Sequence, residues 1–258
     1  MAVELSFKKT GEGKPFIVLH GLFGLLDNWH SFANKLSAQG FAVFSVDLRN
    51  HGSSPHADEF NYKALAEDVA MFIDNNHLQH ATLLGHSLGG KTAMQLALFQ
   101  PELISSLIVV DIAPRYYAPH HQQILKALFA VDLDTVNTRS DADKIVSGFI
   151  DDNATKQFLL KNLYWHGDRL QWKFNLHAIA TQIENVGEHI SSTKPFLKPC
   201  LFIRGEKSNY VTANDEIEIK QLFSTVTIET APAAGHWVHA DNPDWMLQTI
   251  LKFLANIN

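Results

Sequence analysis

Six short, mostly apolar runs rich in β-branched residues recur along this chain. They are FIVLH (Phe16 to His20), FAVFSVD (Phe41 to Asp47), ATLLGHS (Ala81 to Ser87), SLIVVDI (Ser106 to Ile112), CLFIRG (Cys200 to Gly205) and TVTIETA (Thr225 to Ala231). Such runs read as strands buried on both faces. Helical patterns lie between them: Tyr62, Leu65, Val69, Phe72 and Ile73 share one face after the candidate cap Asn61, and Met246, Ile250, Phe253 and Leu254 do the same near the C-terminus. Strand and helix in alternation build a mainly parallel sheet with helices on its faces, an α/β architecture.

One interval breaks the rhythm. From about residue 114 to about 198 the sequence carries helical patterns such as QQILKALFAV, DADKIVSGFI and TKQFLLKNLYW and no convincing strand. A helical insertion between two strands must sit over an edge of the sheet, so this stretch reads as a cap on a core made of residues 1–113 and 199–258. Its aromatic residues Phe129, Phe149, Phe158, Tyr164, Trp165, Trp172 and Phe174 could line a pocket, although most are expected to hold the cap together.

The stretch LLGHSLGGKTA, Leu83 to Ala93, places Ser87 between small residues where a strand gives way to a helix. Glycines on both sides allow a sharp corner that holds the hydroxyl outside both elements, beside the free N–H groups of a helix start. The alternative is that Ser87 merely caps the helix. A nucleophilic serine needs a base, generally histidine. AGHWVHADNP, after the last expected strand, offers His236 behind a small-residue loop; His239, three residues on, is expected to pack near the following helix. HGLFG, His20 to Gly24, follows the first of the six runs, and there the N–H of Leu22 could face the same point as that of Leu88, making a pair of oxyanion donors.

Composition narrows the partners. A formal net charge of -6 with no Lys/Arg cluster argues against nucleic acid. No span approaches the roughly 18 apolar residues of a membrane helix, and the start MAVELSFKKTGEGK has no basic-then-apolar pattern, so a cytoplasmic setting without membrane contact is expected. The single Cys200 rules out an intramolecular disulfide and reads as a buried small hydrophobe. No metal is expected, because neither His120 with His121 nor any other set forms a helical i, i+4 pair with a carboxylate.

HGLFG, DLRNHGSS from Asp47, GHSLGG at the corner and a late GHW together resemble the α/β-hydrolase superfamily over nearly the whole chain. GHSLGGKTAM, DIAP and RGEKSNYV more narrowly resemble a bacterial esterase group typified by YbfF and related to the animal ABHD11 proteins. That resemblance implies hydrolysis of small carboxylic esters or acyl thioesters, acyl-CoA among them, through an acyl-enzyme and without a cofactor. Carbon-carbon bond hydrolases and cofactor-free haloperoxidases keep the same serine, and a ligand-binding receptor of this fold could keep the whole triad.

The acid is set against the superfamily pattern. Its usual place, after the strand that follows the cap, reads RGEKSNYV, with Ser208 where an aspartate is expected and Glu206 too close to the strand end. Some members place the acid after an earlier strand, and the YbfF-like resemblance points the same way, to Asp111. Asp47 is expected to tie up its own turn with Arg49 or backbone amides, and Asp241 to cap the final helix before Pro243. Lys91, in the first helical turn after Ser87, sits where the helix dipole disfavours a cation. It either reaches water, pairs with a cap carboxylate, or meets an anionic substrate; between the last two, the ion pair that seats the cap is expected.

Overall fold

A computed structural model describes residues 1–257 of the chain. In chain order the elements are β1 (Phe7–Thr10), β2 (Lys14–Leu19), α1 (His30–Ser37), β3 (Phe41–Val46), α2 (Tyr62–Asn75), β4 (Ala81–His86), α3 (Leu88–Phe99) and β5 (Ile104–Val110). There follow α4 (Gln122–Ala130), α5 (Arg139–Val146), α6 (Asn153–Leu160), β6 (Leu163–His166), β7 (Arg169–Trp172) and α7 (Leu176–Thr181). The chain ends with β8 (Cys200–Gly205), α8 (Asp215–Leu222), β9 (Val226–Ala231), α9 (Val238–Asp241) and α10 (Pro243–Asn256).

Seven strands form one sheet in the order β1-β3-β2-β4-β5-β8-β9. All neighbours are parallel except β1, which pairs antiparallel with β3. The six expected strands are present within a residue or two. β3 and β4 are buried at every position, as continuous apolar runs between two helical layers must be. Ile17, Leu83 and Leu107 belong to the core on one face of the sheet; Phe16, Leu84 and Ile108 belong to the core on the other. The expected N-cap of α2 is in place, with the Asn61 side chain accepting the N–H of Ala64 at 2.9 Å.

Three strands were not expected. β1 is the polar edge run FKKT. The insertion carries the antiparallel hairpin β6-β7 in its own small sheet, pairing Leu163 with Trp172, so the reading of residues 114–198 as free of strands is corrected. The helix that carries TKQFLL stops at Leu160, and LYWH turns extended after it.

The insertion is fastened to the core along its length. The Asn162 amide donates to the Phe23 carbonyl at 2.8 Å, and the N–H of Asn175 to the Asn50 carbonyl at 2.9 Å. His51 and Phe174 form a β-bridge. The Asn185 amide donates to the Phe60 carbonyl at 2.9 Å, and the Tyr62 hydroxyl to Val186 O at 2.7 Å.

Register decides where function can sit. Leu19 lies beside Gly85, His86 beside Val110, Val110 beside Ile203, and Gly205 beside Ala231. The C-terminal ends of five adjacent strands therefore finish on one edge, where ligands gather in open α/β sheets. Among the described residues no helix is long and apolar enough to cross a membrane.

Candidate active site

Ser87 stands at the corner between β4 and α3 with φ 52° and ψ −115°, a backbone conformation a non-glycine residue rarely adopts. Its side chain makes no capping bond to α3, which removes the reading of Ser87 as a simple helix cap. The corner closes because its neighbours lack side chains. A Cβ on Gly85 would stand 2.1 Å from the Gly89 carbonyl oxygen, and one on Gly89 would stand 2.5 Å from Leu19 O and 2.6 Å from His20 O. The second clash would push the helix start away from the HGLFG loop.

Asp111, one residue past β5, also has a positive φ, of 51°. Its carboxylate is fully buried and saturated. One oxygen accepts the N–H of Gly205 at 2.8 Å; the other accepts the Ser208 hydroxyl at 2.5 Å and Nδ1–H of His236 at 2.8 Å. Ser208, the residue standing where the usual acid is missing, thus holds the acid that stands elsewhere. Glu206 accepts the N–H of Ala233 at 2.7 Å.

His236 is gripped on several sides. The Tyr210 ring stacks on its imidazole at 3.9 Å with 22° between planes, and the Tyr210 hydroxyl is 2.7 Å from Nε2 of His120. Nε2–H of His86 donates to the His236 carbonyl at 2.9 Å, which leaves Nδ1 of His86 without the proton; burial pushes the His86 pKa well below its ordinary 6.5. Gly235 N–H donates to Asp241 at 2.8 Å. Asp241 therefore ties the histidine loop and does not cap α10, whose N-cap position is Asn242; that expectation is corrected. His239 stacks on Trp29, centroids 4.4 Å apart, and burial pushes its pKa down to about 4.

The HGLFG loop is locked by two neutral histidines. His20 accepts the N–H of Leu48 on Nε2 at 3.0 Å and donates from Nδ1 to Gly21 O at 2.8 Å. His51 accepts the N–H of Phe23 at 3.1 Å and donates to Arg49 O at 2.9 Å. Burial pushes their pKa values down to about 4 and about 3. Asp47 accepts the N–H groups of Leu26 and Ser53 at 2.8 and 2.9 Å, the backbone option of its two expected partners. Arg49 pairs instead with buried Asp68, at 2.5 and 2.7 Å.

Ser87, His236, Leu22 and His86 line one cavity of about 170 Å³, and Leu22, Ser87 and Leu88 line a narrower cleft beside it. Of the seven aromatic residues singled out in the insertion, Phe158 lines the cavity; Trp172 and Phe174 stack on each other at 5.2 Å, and Trp165 and Phe129 are exposed. His120, His121 and Ile124 also reach it from the insertion. Among the described residues no group of histidine, cysteine and carboxylate side chains is arranged to hold a metal ion. Cys200 opens β8 and is buried.

Lys91 does not reach water, nor does it meet a carboxylate; both expectations are corrected. It is fully buried, and its ammonium donates to the carbonyls of Arg115, at 2.8 Å, Gly187 and Glu188, with the Tyr117 ring 4.8 Å away. Burial, aided by the nearby Arg115 charge, pushes its pKa down to about 7, while the carbonyls and the tyrosine face favour the charged form. Tyr117 in turn donates its hydroxyl to the Tyr210 carbonyl, so the contact reaches the residue stacked on His236.

Sequence reasoning placed Ser87, Asp111 and His236, and the structure brings the last two into direct contact and sets all three on one strand edge. It missed Ser208, Tyr210, His86 and His51 as parts of the site. RGEKSNYV did carry a signal for two of them, a hydroxyl and an aromatic ring where an acid was sought.

Comparisons with known proteins identify the family. Residues 14–243 match a family described as the alpha/beta hydrolase fold. The chain is 38% identical to the mouse sn-1-specific diacylglycerol lipase ABHD11 over 249 residues, covering 93% of this chain and 81% of that protein. It is 35% identical to the Escherichia coli esterase YbfF, covering 93% and 92% of the two. A solved marine microorganism esterase superposes with a TM-score of 0.95 at 41% identity, over 98% of this chain and 100% of the other. With its sheet order, its serine corner and these relatives, the chain belongs to the α/β-hydrolase family.

Proposed function

We propose that the protein is a serine hydrolase that cleaves carboxylic esters, and acyl thioesters by the same steps, through an acyl-enzyme. The observation that carries this reading is the strained Ser87 corner: its hydroxyl is free of capping and borders the cavity that His236 borders, while Nδ1 of that histidine is engaged by a buried carboxylate. With Nδ1–H held by Asp111, Nε2 of His236 is left to take the Ser87 proton as the oxygen attacks an acyl carbonyl. The N–H groups of Leu22 and Leu88 would receive the oxyanion, an interaction for which one donor is typically worth about 3 to 4 kcal/mol of barrier. His236 then gives the proton to the departing alkoxide or thiolate, and water activated by the same nitrogen releases the acid. The insertion, in this reading, is the cap over the site, and small-molecule esters are the substrates. The names of the relatives, a lipase and esterases, support ester chemistry. A cytoplasmic setting fits a chain whose single thiol is buried.

The test is Ser87→Ala. The folded variant should lose p-nitrophenyl butyrate hydrolysis by about 10⁶-fold, the scale on which a triad serine acts, and should no longer take a fluorophosphonate label. Near-native turnover with an unchanged melting curve would reject the reading. Acyl-CoA and oxygen esters compared on the same acyl chain would tell whether thioesters are accepted.

A further inference from the structure

The cavity at Ser87 has a second hollow behind one of its walls. Asn28, Phe158, Trp237 and His239 line the inner cavity of about 170 Å³, and the same four line an outer hollow of about 640 Å³. The centre of that wall is an aromatic pair: the rings of Phe158, on α6, and Trp237, next to His236, meet with centroids 5.5 Å apart and 37° between planes. Each is only half-buried, although each packs against the other. The outer hollow is apolar along Phe32, Ala154 and Pro243 and carries Lys35 and Lys161 as well.

Resting on the ester-hydrolase reading, we propose that the Phe158–Trp237 pair is the wall that sets substrate chain length, so that the protein prefers esters with a short chain on this side. The inner cavity, at about 170 Å³, is smaller than the roughly 300–1,000 Å³ of pockets that take drug-sized ligands. In this proposal a butyl or hexyl chain lies within that space, and a decyl chain runs into the Phe158–Trp237 wall. The chain belongs to the acyl or to the alkoxy side of the ester, and the same apolar wall limits either.

The experiment uses two substrate series on the whole protein: p-nitrophenyl esters from acetate to dodecanoate, and acetates of straight-chain alcohols from ethyl to dodecyl. In one series the wild type should peak near four to six carbons and decline by ten. Phe158→Ala opens the wall onto the outer hollow, and in that series it should raise the ratio of ten-carbon to four-carbon kcat/KM at least ten-fold. Each methylene newly buried is worth about four-fold, so ten-fold is a floor. Phe158→Leu, which keeps a core-type side chain on α6, should raise the ratio less, and it decides the matter should the alanine variant fail to fold. A wild type that accepts ten carbons as readily as four in both series overturns the proposal, as does a ratio unchanged in a folded Phe158 variant. No turnover in either series, with no fluorophosphonate label on Ser87, would instead bring down the ester-hydrolase reading itself.

Discussion

Replacing Asp111 by asparagine keeps the shape of the side chain and removes its charge. The surroundings dictate how the amide must sit. One carboxylate oxygen accepts the N–H of Gly205, so the asparagine oxygen belongs there, and the amide nitrogen then takes the position 2.8 Å from Nδ1 of His236. An amide N–H pointing at Nδ1 forces the histidine proton onto Nε2, the nitrogen that receives the Ser87 proton in the proposed mechanism. The opposite amide orientation restores the productive tautomer but aims the NH₂ at the Gly205 N–H in a fully buried site, at a cost of about 1 to 3 kcal/mol for the unmade bond. The productive form is thereby reduced to between roughly a sixth and a hundredth, at about 1.4 kcal/mol per ten-fold. The lost negative charge beside the imidazolium supplies the rest of the roughly 10⁴-fold fall in kcat seen when a triad aspartate is neutralised. Steady-state turnover of p-nitrophenyl butyrate measures this, with thermal melting as the control for folding. Glu206→Gln is the comparison: its carboxylate holds only the N–H of Ala233, at 2.7 Å, and should lose little. If Asp111→Asn stays within ten-fold of the wild type while Glu206→Gln collapses, the acid is on the wrong strand and the argument fails.

Stability should fall with acid in a defined window. His20 and His239, both with pKa values pushed from 6.5 to about 4 by burial, stay neutral in the folded protein while the unfolded chain takes up protons, so stability is lost as pH drops from about 6.5 to about 4. For fully buried His20 this is about 3 kcal/mol at roughly 1.4 kcal/mol per pH unit; a melting temperature that is flat from pH 7 to 4.5 would refute it. Lys91→Met leaves the carbonyls of Arg115 and Glu188 without their donor, while that of Gly187 keeps the N–H of Tyr117, and kcat/KM should fall about ten-fold, the worth of one hydrogen bond of about 1.4 kcal/mol, on neutral and anionic esters alike. A loss confined to anionic esters and weakened by salt would put the ammonium on the substrate instead.

How far the sequence could be read follows from what each residue has to do. β3, β4 and β5 are buried in the sheet, and burial leaves a continuous apolar run that nothing else explains. β1 is exposed at the edge, so FKKT carries no such mark. The β6-β7 hairpin was hidden because LYW continues the apolar spacing of α6; the cue was Gly167 with Asp168 between two four-residue runs, a two-residue hairpin turn in which Gly167 has φ 59°. Lys91 was visible as an anomaly near a helix start, but its partners are backbone carbonyls at positions 115, 187 and 188, and any residue type supplies a carbonyl. Ser87 and His236 were legible because the chemistry demands particular side chains, whereas the grips of His86, Tyr210 and Ser208 on the pair depend on distances that only the fold supplies.

The stitching of the insertion along its length bears on how molecules get in and out. A lid joined to a body by two hinges can swing as one piece, over microseconds to milliseconds. Here such a swing would have to break the bonds at Asn162, Asn175, Asn185 and Tyr62 and unzip the His51–Phe174 bridge all at once. Access to Ser87 is therefore set by the side chains that line its cavity from the insertion, Phe158, His120 and His121 among them, and not by a swing of the insertion as one piece.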